Sequence, residues 1–156
     1  MTIPPRTATD EYFRRANDAG GVRRTLDIEF DVDLGELARG HRVVARGLEL
    51  ARGGAALHYE FVPGGVENLF HAYWLLRAED DVGTSYSDYN GGAFSPAAGE
   101  AAHGTRDIGG TVPDTATCVR LHFTPAQGWT PDEPWCRALA INLRTGEVHA
   151  HTTPPA

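Results

Sequence analysis

One stretch near the start of the chain alternates between apolar and acidic residues without error. In residues 26–34, Leu-Asp-Ile-Glu-Phe-Asp-Val-Asp-Leu, every even-numbered residue is apolar and every odd-numbered residue is acidic. A period of two sends the two sets to opposite faces of a β-strand, whereas a helix would scatter both sets around its circumference. We therefore predict a half-buried strand whose apolar face, with Leu26, Ile28 and Phe30, belongs to the core.

Further strand-like runs follow at the spacing of a β-sandwich. They cover residues 42–50, 56–62, 70–78, 84–89, 115–124, 136–143 and 148–152. Gly47 inside the first of these predicts a bulge. The run 70–78 is apolar on both faces, as a central strand would be. From these runs we expect a core that includes Tyr59, Phe61, Trp74, Leu121, Phe123, Leu139 and Ile141.

Two segments do not follow the strand pattern. Residues 90–111 are rich in Gly, Ala, Ser and His and are predicted to form one long loop, which in a compact domain is often functional. Residues 10–19 are predicted to form a short helix that ends at Gly20-Gly21. The sequence thus predicts an N-terminal arm with a short helix (1–24) and a β-sandwich domain (25–153).

The predicted fold class is all-β, an antiparallel two-sheet sandwich of about seven or eight strands with Greek-key connections, and a barrel is the alternative. The stretch from Leu57 to Phe123 contains LHYEFVP, a Trp strand, DDVGTSY, a Gly-rich segment and a closing strand. It resembles uncharacterised immunoglobulin-like sandwich domains of GC-rich bacteria, with Asp81, Gly83 and Tyr86 as its turn-and-strand element. The resemblance implies an immunoglobulin-like fold and carries no catalytic residues.

Composition narrows the classes of function. The net charge of -7 argues against nucleic acid and anionic membrane as partners, since both call for a basic patch. All 14 basic residues are Arg, which fits a GC-rich bacterial genome and leaves an Arg-lined anion site as the alternative. No apolar run approaches the roughly 20 residues of a membrane span, and the chain does not start like a secretion signal. The expected location is the cytoplasm, or outside the cell if a signal was removed.

Residue parity predicts a cluster on the outer face of the last strands. Val119, Leu121 and Phe123 form the apolar side of their strand, so the residues between them face away from the core. A two-residue turn at Thr145-Gly146 would pair Leu143 with Val148 and bring a second set to the same face above a floor of alanines. A loop near residues 125–135 would place Cys118 opposite about Asn142. The outer set comprises Cys118, Arg120, His122, Cys136, Ala138, Ala140, Asn142, His149 and His151.

This outer face has competing interpretations. A small floor edged by thiol, imidazole and guanidinium groups is a candidate binding groove, or a zinc or copper site made by Cys118, His122, His149 and His151. The simpler interpretation is a surface covered by a loop, the N-terminal helix or another subunit. The acidic face of residues 27–33 and the acidic turn of residues 79–81 are candidates for calcium, with a solvated strand face as the simpler interpretation. Alternate residues of one strand stand roughly 6.5–7 Å apart, so one strand cannot chelate an ion alone.

Loop aromatic residues are the other candidate contacts. Trp129 and Trp135 flank Thr-Pro-Asp-Glu-Pro, and Tyr89 lies beside the Gly-rich segment. Exposed aromatic rings stack on sugars or anchor a protein partner, although loop aromatics also commonly fold back over a core edge. Together with Arg120, these residues are the predicted ligand-binding or partner-binding set.

The favoured function is a non-catalytic interaction or assembly module that binds a protein partner or a second copy of itself, without a cofactor. The sequence contains none of the common phosphate-loop, dinucleotide, nucleophile-elbow or zinc-protease signatures, so an enzyme is the less favoured interpretation. The alternatives are a small metal-binding protein or metal-dependent enzyme, and a carbohydrate-binding module. Cys118 and Cys136 are expected to be free thiols, because pairing across the 125–135 loop separates them by about 20 Å.

Overall fold

The structure is a computed structural model that describes residues 26–51, 54–64, 73–87, 92–95 and 102–153. Within these ranges the chain forms nine strands and no helix. The strands are β1 (Leu26–Ala38), β2 (His41–Ala51), β3 (Gly54–Val62), β4 (Leu75–Asp80), β5 (Gly92–Ser95), β6 (Ala102–Asp107), β7 (Cys118–Thr124), β8 (Cys136–Asn142) and β9 (Val148–Thr152). The predicted N-terminal arm and its helix lie outside the described residues.

The strands form two antiparallel sheets that share one core. The five-stranded sheet has the order β1-β2-β3-β6-β5, and the four-stranded sheet has the order β4-β7-β8-β9. Tyr59 on β3 packs edge-on against Trp74 with 5.0 Å between ring centroids, and Trp74 lies 5.8 Å from Phe123 on β7. These rings connect the two sheets through the interior. The predicted all-β sandwich is confirmed, with nine strands in the described ranges rather than seven or eight.

The alternation in β1 places its side chains as predicted. Ile28 and Leu34 are buried, and the acidic residues between them are exposed. Leu26 and Phe30 are only partly buried, against the margin of the core. The reason is that β1 is an edge strand of the described sheet and carries three shifts in its register with β2.

The bulge predicted at Gly47 is also confirmed. The register of β2 with β3 shifts between Ala45 and Gly47. A Cβ atom at position 47 would stand 2.8 Å from the carbonyl oxygen of Ile28, so only glycine lets the two strands approach this closely.

The prediction of a central strand over residues 70–78 is wrong. β4 begins at Leu75 and is an edge strand of the four-stranded sheet. Trp74 and Leu76 are buried, whereas Tyr73 and Leu75 are exposed at 43% and 44%. In β4, large apolar residues on both faces therefore belong to a strand with one face exposed to water, and not to a strand covered on both sides. The strand predicted at 84–89 is not formed over residues 84–87.

The predicted long loop over residues 90–111 is also incorrect, because it contains β5 and β6. β6 is an interior strand that pairs with β3 on one side and with β5 on the other. At Gly104 the ring of Tyr59 lies where a side chain would be, with its hydroxyl 2.5 Å from an ideal Cβ. Glycine, which has a low β-propensity, is therefore required by packing at position 104.

Arg106 on β6 links the two sheets. Its residue is only 5% exposed, and its guanidinium stacks at 4.2 Å from the ring centroid of Trp74 and 4.7 Å from that of Tyr73. The same group donates a hydrogen bond to the carbonyl oxygen of Trp74. Ring faces and a carbonyl oxygen are favourable surroundings for a buried guanidinium. Burial raises the pKa of the neighbouring Tyr59 hydroxyl, and the charge of Arg106 opposes that rise.

Candidate functional site

The outer face of the four-stranded sheet is built by strict alternation along β7. Val119, Leu121 and Phe123 are buried in the core, so the residues between them point outward. Cys118 lies opposite Asn142 in β8, which is the pairing that the sequence predicted. The register between these two strands is therefore confirmed.

The register between β8 and β9 differs from the prediction by two residues. Ile141, not Leu143, lies opposite Val148. The Asn142 side-chain oxygen accepts hydrogen bonds from the backbone N–H groups of Arg144 and Thr145, at 2.9 and 3.0 Å, and this holds a longer turn than the two-residue one expected. A shift by two preserves the faces of the strands and changes only the neighbours.

The corrected register produces two rows across the outer face. One row is Arg120, Ala140 and His149, and the next is His122, Ala138 and His151. A groove of about 400 Å³ lies on this face because the alanines leave its floor low. Its lining residues are Arg120, His122, Phe123, Trp135, Arg137, Ala138 and His151.

Glu79 on β4 contacts two of the residues that line this groove. Its Oε1 atom lies 2.9 Å from His122 Nε2 and 3.8 Å from Arg120 Nη1. The hydrogen bond with His122 is the largest of the effects that lower the pKa of Glu79, and the charges of Arg120 and Arg77 add to it. Glu79 thus offsets part of the positive charge at this end of the groove.

The rest of the outer face keeps a surplus of positive charge. Arg77 on β4 lies opposite His122 of β7, and Arg137 lines the groove. No carboxylate of the described residues forms an ion pair with Arg77, Arg137 or His151. A chain with a net charge of -7 therefore presents one sheet face on which Arg77 and Arg137 lack an ion-pair partner among the described residues.

The outer face of the five-stranded sheet is arranged in the opposite way. Arg46 lies 3.0 Å from the carboxylate of Asp31 and 3.4 Å from that of Glu60, which in turn lies 3.1 Å from His103. Charges therefore alternate across β1, β2, β3 and β6. The acidic row of β1, considered above for calcium, uses its carboxylates in part as partners for arginines of β2.

The four residues predicted as metal ligands do not form a cluster. Cys118 faces Asn142, and His122 and His151 stand on opposite sides of Ala138. His149 lies 3.3 Å from Glu147. Within the described ranges, no three His, Cys, Asp or Glu side chains come together in a way that would hold an ion.

Cys136 does not face outward as parity predicted. The register of β8 with β9 shifts between Cys136 and Ala138, and this bulge turns Cys136 into the core, where it is 2% exposed. Its thiol donates to the carbonyl oxygen of Ala138 at 3.1 Å, and burial raises the pKa of the thiol. Both cysteines are free, as the sequence predicted.

Both loop tryptophans contact the body of the sandwich. Trp129 donates its indole N–H to the carbonyl oxygen of Glu36 at 2.8 Å. Trp135 is half-buried against the core, contacts Gly35 closely and also forms one wall of the groove. Tyr89, the third predicted aromatic contact, lies outside the described residues.

Arg77 and Arg137 are the outer-face residues that the sequence did not predict. Arg77 occupies an outward position of β4, which was expected to be covered on both faces. Arg137 reaches the groove because of the bulge beside it. The outward position of Arg77 is readable once β4 is taken as an edge strand, whereas the bulge at Arg137 has no signal in the sequence.

Comparison of the chain with protein-family models, with curated proteins and with solved structures finds no match. In the described ranges, no helix has the length and apolar character needed to cross a membrane.

Proposed function

We propose that this chain is a non-catalytic interaction module that binds a protein partner, or a second copy of itself, through the outer face of the four-stranded sheet. The observation that carries the proposal is the contrast between the two sheet faces. Arg42 and Arg46 on the five-stranded sheet are ion-paired within that face, whereas Arg77 and Arg137 form no ion pair with a carboxylate in the described part of the chain. Positive groups left unpaired on an acidic protein favour a complementary partner.

The composition of this face also supports a protein partner. Trp, Tyr and Arg are the residues that most often dominate binding energy at protein interfaces. The face offers Trp135 and two arginines around the groove, and Leu75 is exposed on the neighbouring edge strand, next to exposed Tyr73. Apolar anchors beside charged groups are typical of a surface that docks another chain.

The two alternative functions gain no further support from the geometry. A sugar platform needs free aromatic faces, whereas Trp129 and Trp135 are half-buried and attached to the sandwich. A metal site needs converging ligands, and the four candidate ligands stand apart. The interaction module is therefore the function that we propose.

We infer further that the sandwich is of the immunoglobulin-like kind. Seven consecutive strands, β2 to β8, support this inference, since their orders β2-β3-β6-β5 and β4-β7-β8 equal the A-B-E-D and C-F-G orders of that fold. Trp74, buried directly before β4, is at the position of the core tryptophan. β1 and β9 would then be additions at either end, and a bacterial source remains a prediction.

Site-directed crosslinking tests the proposed face. The photoreactive residue benzoylphenylalanine would replace Ala140, central on the proposed face, or Ala56, an equally half-buried alanine on the outer face of the five-stranded sheet. Irradiation in cells that produce the protein should give a discrete crosslinked species from position 140 and none from position 56. Mass spectrometry then distinguishes a foreign partner from a second copy of the chain.

A second set of variants ties the crosslink to the charges. Arg120→Gln together with Arg137→Gln should abolish the species formed from position 140, whereas Arg46→Gln on the other face should leave it unchanged. Crosslinks from position 56 alone, or none from position 140, would overturn the proposal.

A further inference from the structure

β9 is an edge strand that lacks the features by which edges usually avoid pairing with another strand. Four of its five residues are exposed, and Ala150 is among them although it stands opposite the buried Leu139. In the described part of the chain, β8 is the neighbour of β9, and the other edge of β9 has no partner strand. An open edge presents backbone donors and acceptors to any strand that can pair with it.

The alternation of the ladder shows which groups of β9 point to that open edge. The carbonyl oxygen of Glu147 accepts from Asn142 N–H at 2.8 Å, and Thr153 N–H donates to the carbonyl oxygen of Trp135 at 2.8 Å. Odd-numbered residues therefore direct their backbone groups toward β8. Because the direction alternates along an antiparallel strand, the backbone groups of Ala150 and Thr152 face away from β8.

Two other edges of the described sheets carry features that oppose strand pairing. β1 has a row of exposed carboxylates and three shifts of register, and β4 carries Glu79 and Asp80. Charges and bulges of this kind are common protection for edges. β9, with the sequence Val-His-Ala-His-Thr, has no carboxylate, no proline and no shift within Val148–His151.

We propose that β9 receives an extended acidic segment of a protein partner as an additional strand of the four-stranded sheet. The segment would pair with the open backbone groups of β9, and every second side chain would lie on the outer face beside His149 and His151. Cross-strand neighbours stand about 4.5–5.5 Å apart, so carboxylates at these positions come within reach of the imidazoles and the nearby Arg137. The inference rests on the proposed function and names the chemistry of the partner.

A synthetic peptide tests the charge requirement. The probe is the end-blocked, fluorescently labelled peptide Thr-Glu-Val-Glu-Thr-Glu-Thr, titrated with the full chain and followed by anisotropy. We expect saturable binding, a loss of roughly tenfold in affinity when Gln replaces Glu in the peptide, and no binding when Lys replaces Glu. Equal binding of the Glu and Gln peptides would overturn the acidic character of the segment.

Variants of the protein test the site of pairing. Ala150→Pro removes one outward N–H without removing a hydrogen bond to β8. We expect it to lower the affinity for the peptide by roughly tenfold or more. Arg137→Gln should also lower the affinity for the peptide. Arg46→Gln, an ion-paired arginine of the other sheet, is the matched control and should bind as the parent protein does.

Amide hydrogen exchange of the unmodified protein tests the same step without a substitution. Addition of the Glu peptide should slow exchange at Ala150 and Thr152 and leave exchange along β1 unchanged. Peptide binding that does not slow exchange at these amides and is unaffected by Ala150→Pro would overturn strand addition. If that variant does not fold, the exchange result alone decides. If the peptide does not bind while position 140 still crosslinks a partner, this inference fails and the proposed function stands. If both experiments are negative, both fail.

Discussion

Two neighbouring carboxylates determine the turn after β4. Asp80 accepts hydrogen bonds from the backbone N–H groups of Val82 and Thr84 and from the hydroxyl of Tyr86. Asp81 accepts from the N–H and hydroxyl groups of Thr117 and from the N–H of Cys118. The acidic turn therefore joins the end of β4 to the start of β7.

Asp81 makes the stability of the protein sensitive to acid. The hydrogen bonds from Thr117 lower its pKa from 3.8 to about 2. Since the folded pKa lies below the unfolded one, these bonds stabilise the fold fully above pH 3.8, and their contribution is lost as the pH falls toward 2. We expect Asp81→Asn to flatten the fall of Tm over that window, measured by thermal unfolding at a series of pH values. Parallel curves for both proteins would contradict this role.

The partial burial of Phe30 limits the loss in free energy of unfolding that removal of its ring would cause. A fully buried Phe→Ala change costs about 3–5 kcal/mol, and we expect that cost for Phe61→Ala, since Phe61 is buried. Phe30 packs at the core margin, so Phe30→Ala should cost roughly half as much. Denaturant unfolding of both variants measures the difference. Equal costs would mean that β1 is covered more completely than its exposure indicates.

Bulges act at the scale of the strand, because one inserted residue changes which face the following residues occupy. In β2 the bulge lies at Gly47, where the backbone of β1 approaches closely. In β8 the bulge separates Cys136 from Ala138, turning the thiol inward and leaving Arg137 beside the groove.

The bulge in β8 predicts different reactivities for the two thiols. Cys118 is half-buried on the outer side of β7, whereas Cys136 is buried and has a raised pKa. We therefore expect an aromatic disulfide reagent to modify Cys118 in the folded protein and Cys136 only after denaturation, with two thiols titrated in total. Equal rates in the folded protein, or no thiol after denaturation, would contradict the placement of Cys136.

The whole molecule depends on contacts that join its two sheets. The rings of Tyr59, Trp74 and Phe123 form one group, and Arg106 of β6 bonds to the carbonyl oxygen of Trp74. Because these residues come from both sheets, loosening one sheet exposes the packed face of the other. We expect the sandwich to unfold as one unit.

Replacement of Arg106 by lysine should weaken this junction. A lysine ammonium lacks the flat face that stacks between the rings of Tyr73 and Trp74. Hydrogen bonds to charged groups contribute about 1.5–3 kcal/mol, so we expect Arg106→Lys to lower the free energy of unfolding by about 2 kcal/mol. Arg120→Lys, at a half-exposed arginine, should change it by less than about 0.5 kcal/mol. Equal stability of the two variants in urea would show that the stacking contributes little.

Strand faces could be predicted from the sequence because the period of two is a local property. The alternation in β1, the parity along β7 and the pairing of Cys118 with Asn142 needed only residue spacing and one loop length. The two free thiols followed from the same register. The outward positions of Arg120, His122, His149 and His151 were likewise determined by the sequence.

Only the tertiary structure decided which residues lie next to one another on neighbouring strands. The interior strand β6 has glycine at position 104 because the ring of Tyr59 fills the space where a side chain would be, and no local pattern in the sequence predicts such a strand. The hydrogen bonds of the Asn142 side chain moved β9 by two residues, and the bulge in β8 buried Cys136 and exposed Arg137. These outcomes depend on atoms distant in the sequence or on the hydrogen bonds of one side chain, and hydrophobic periodicity reports neither.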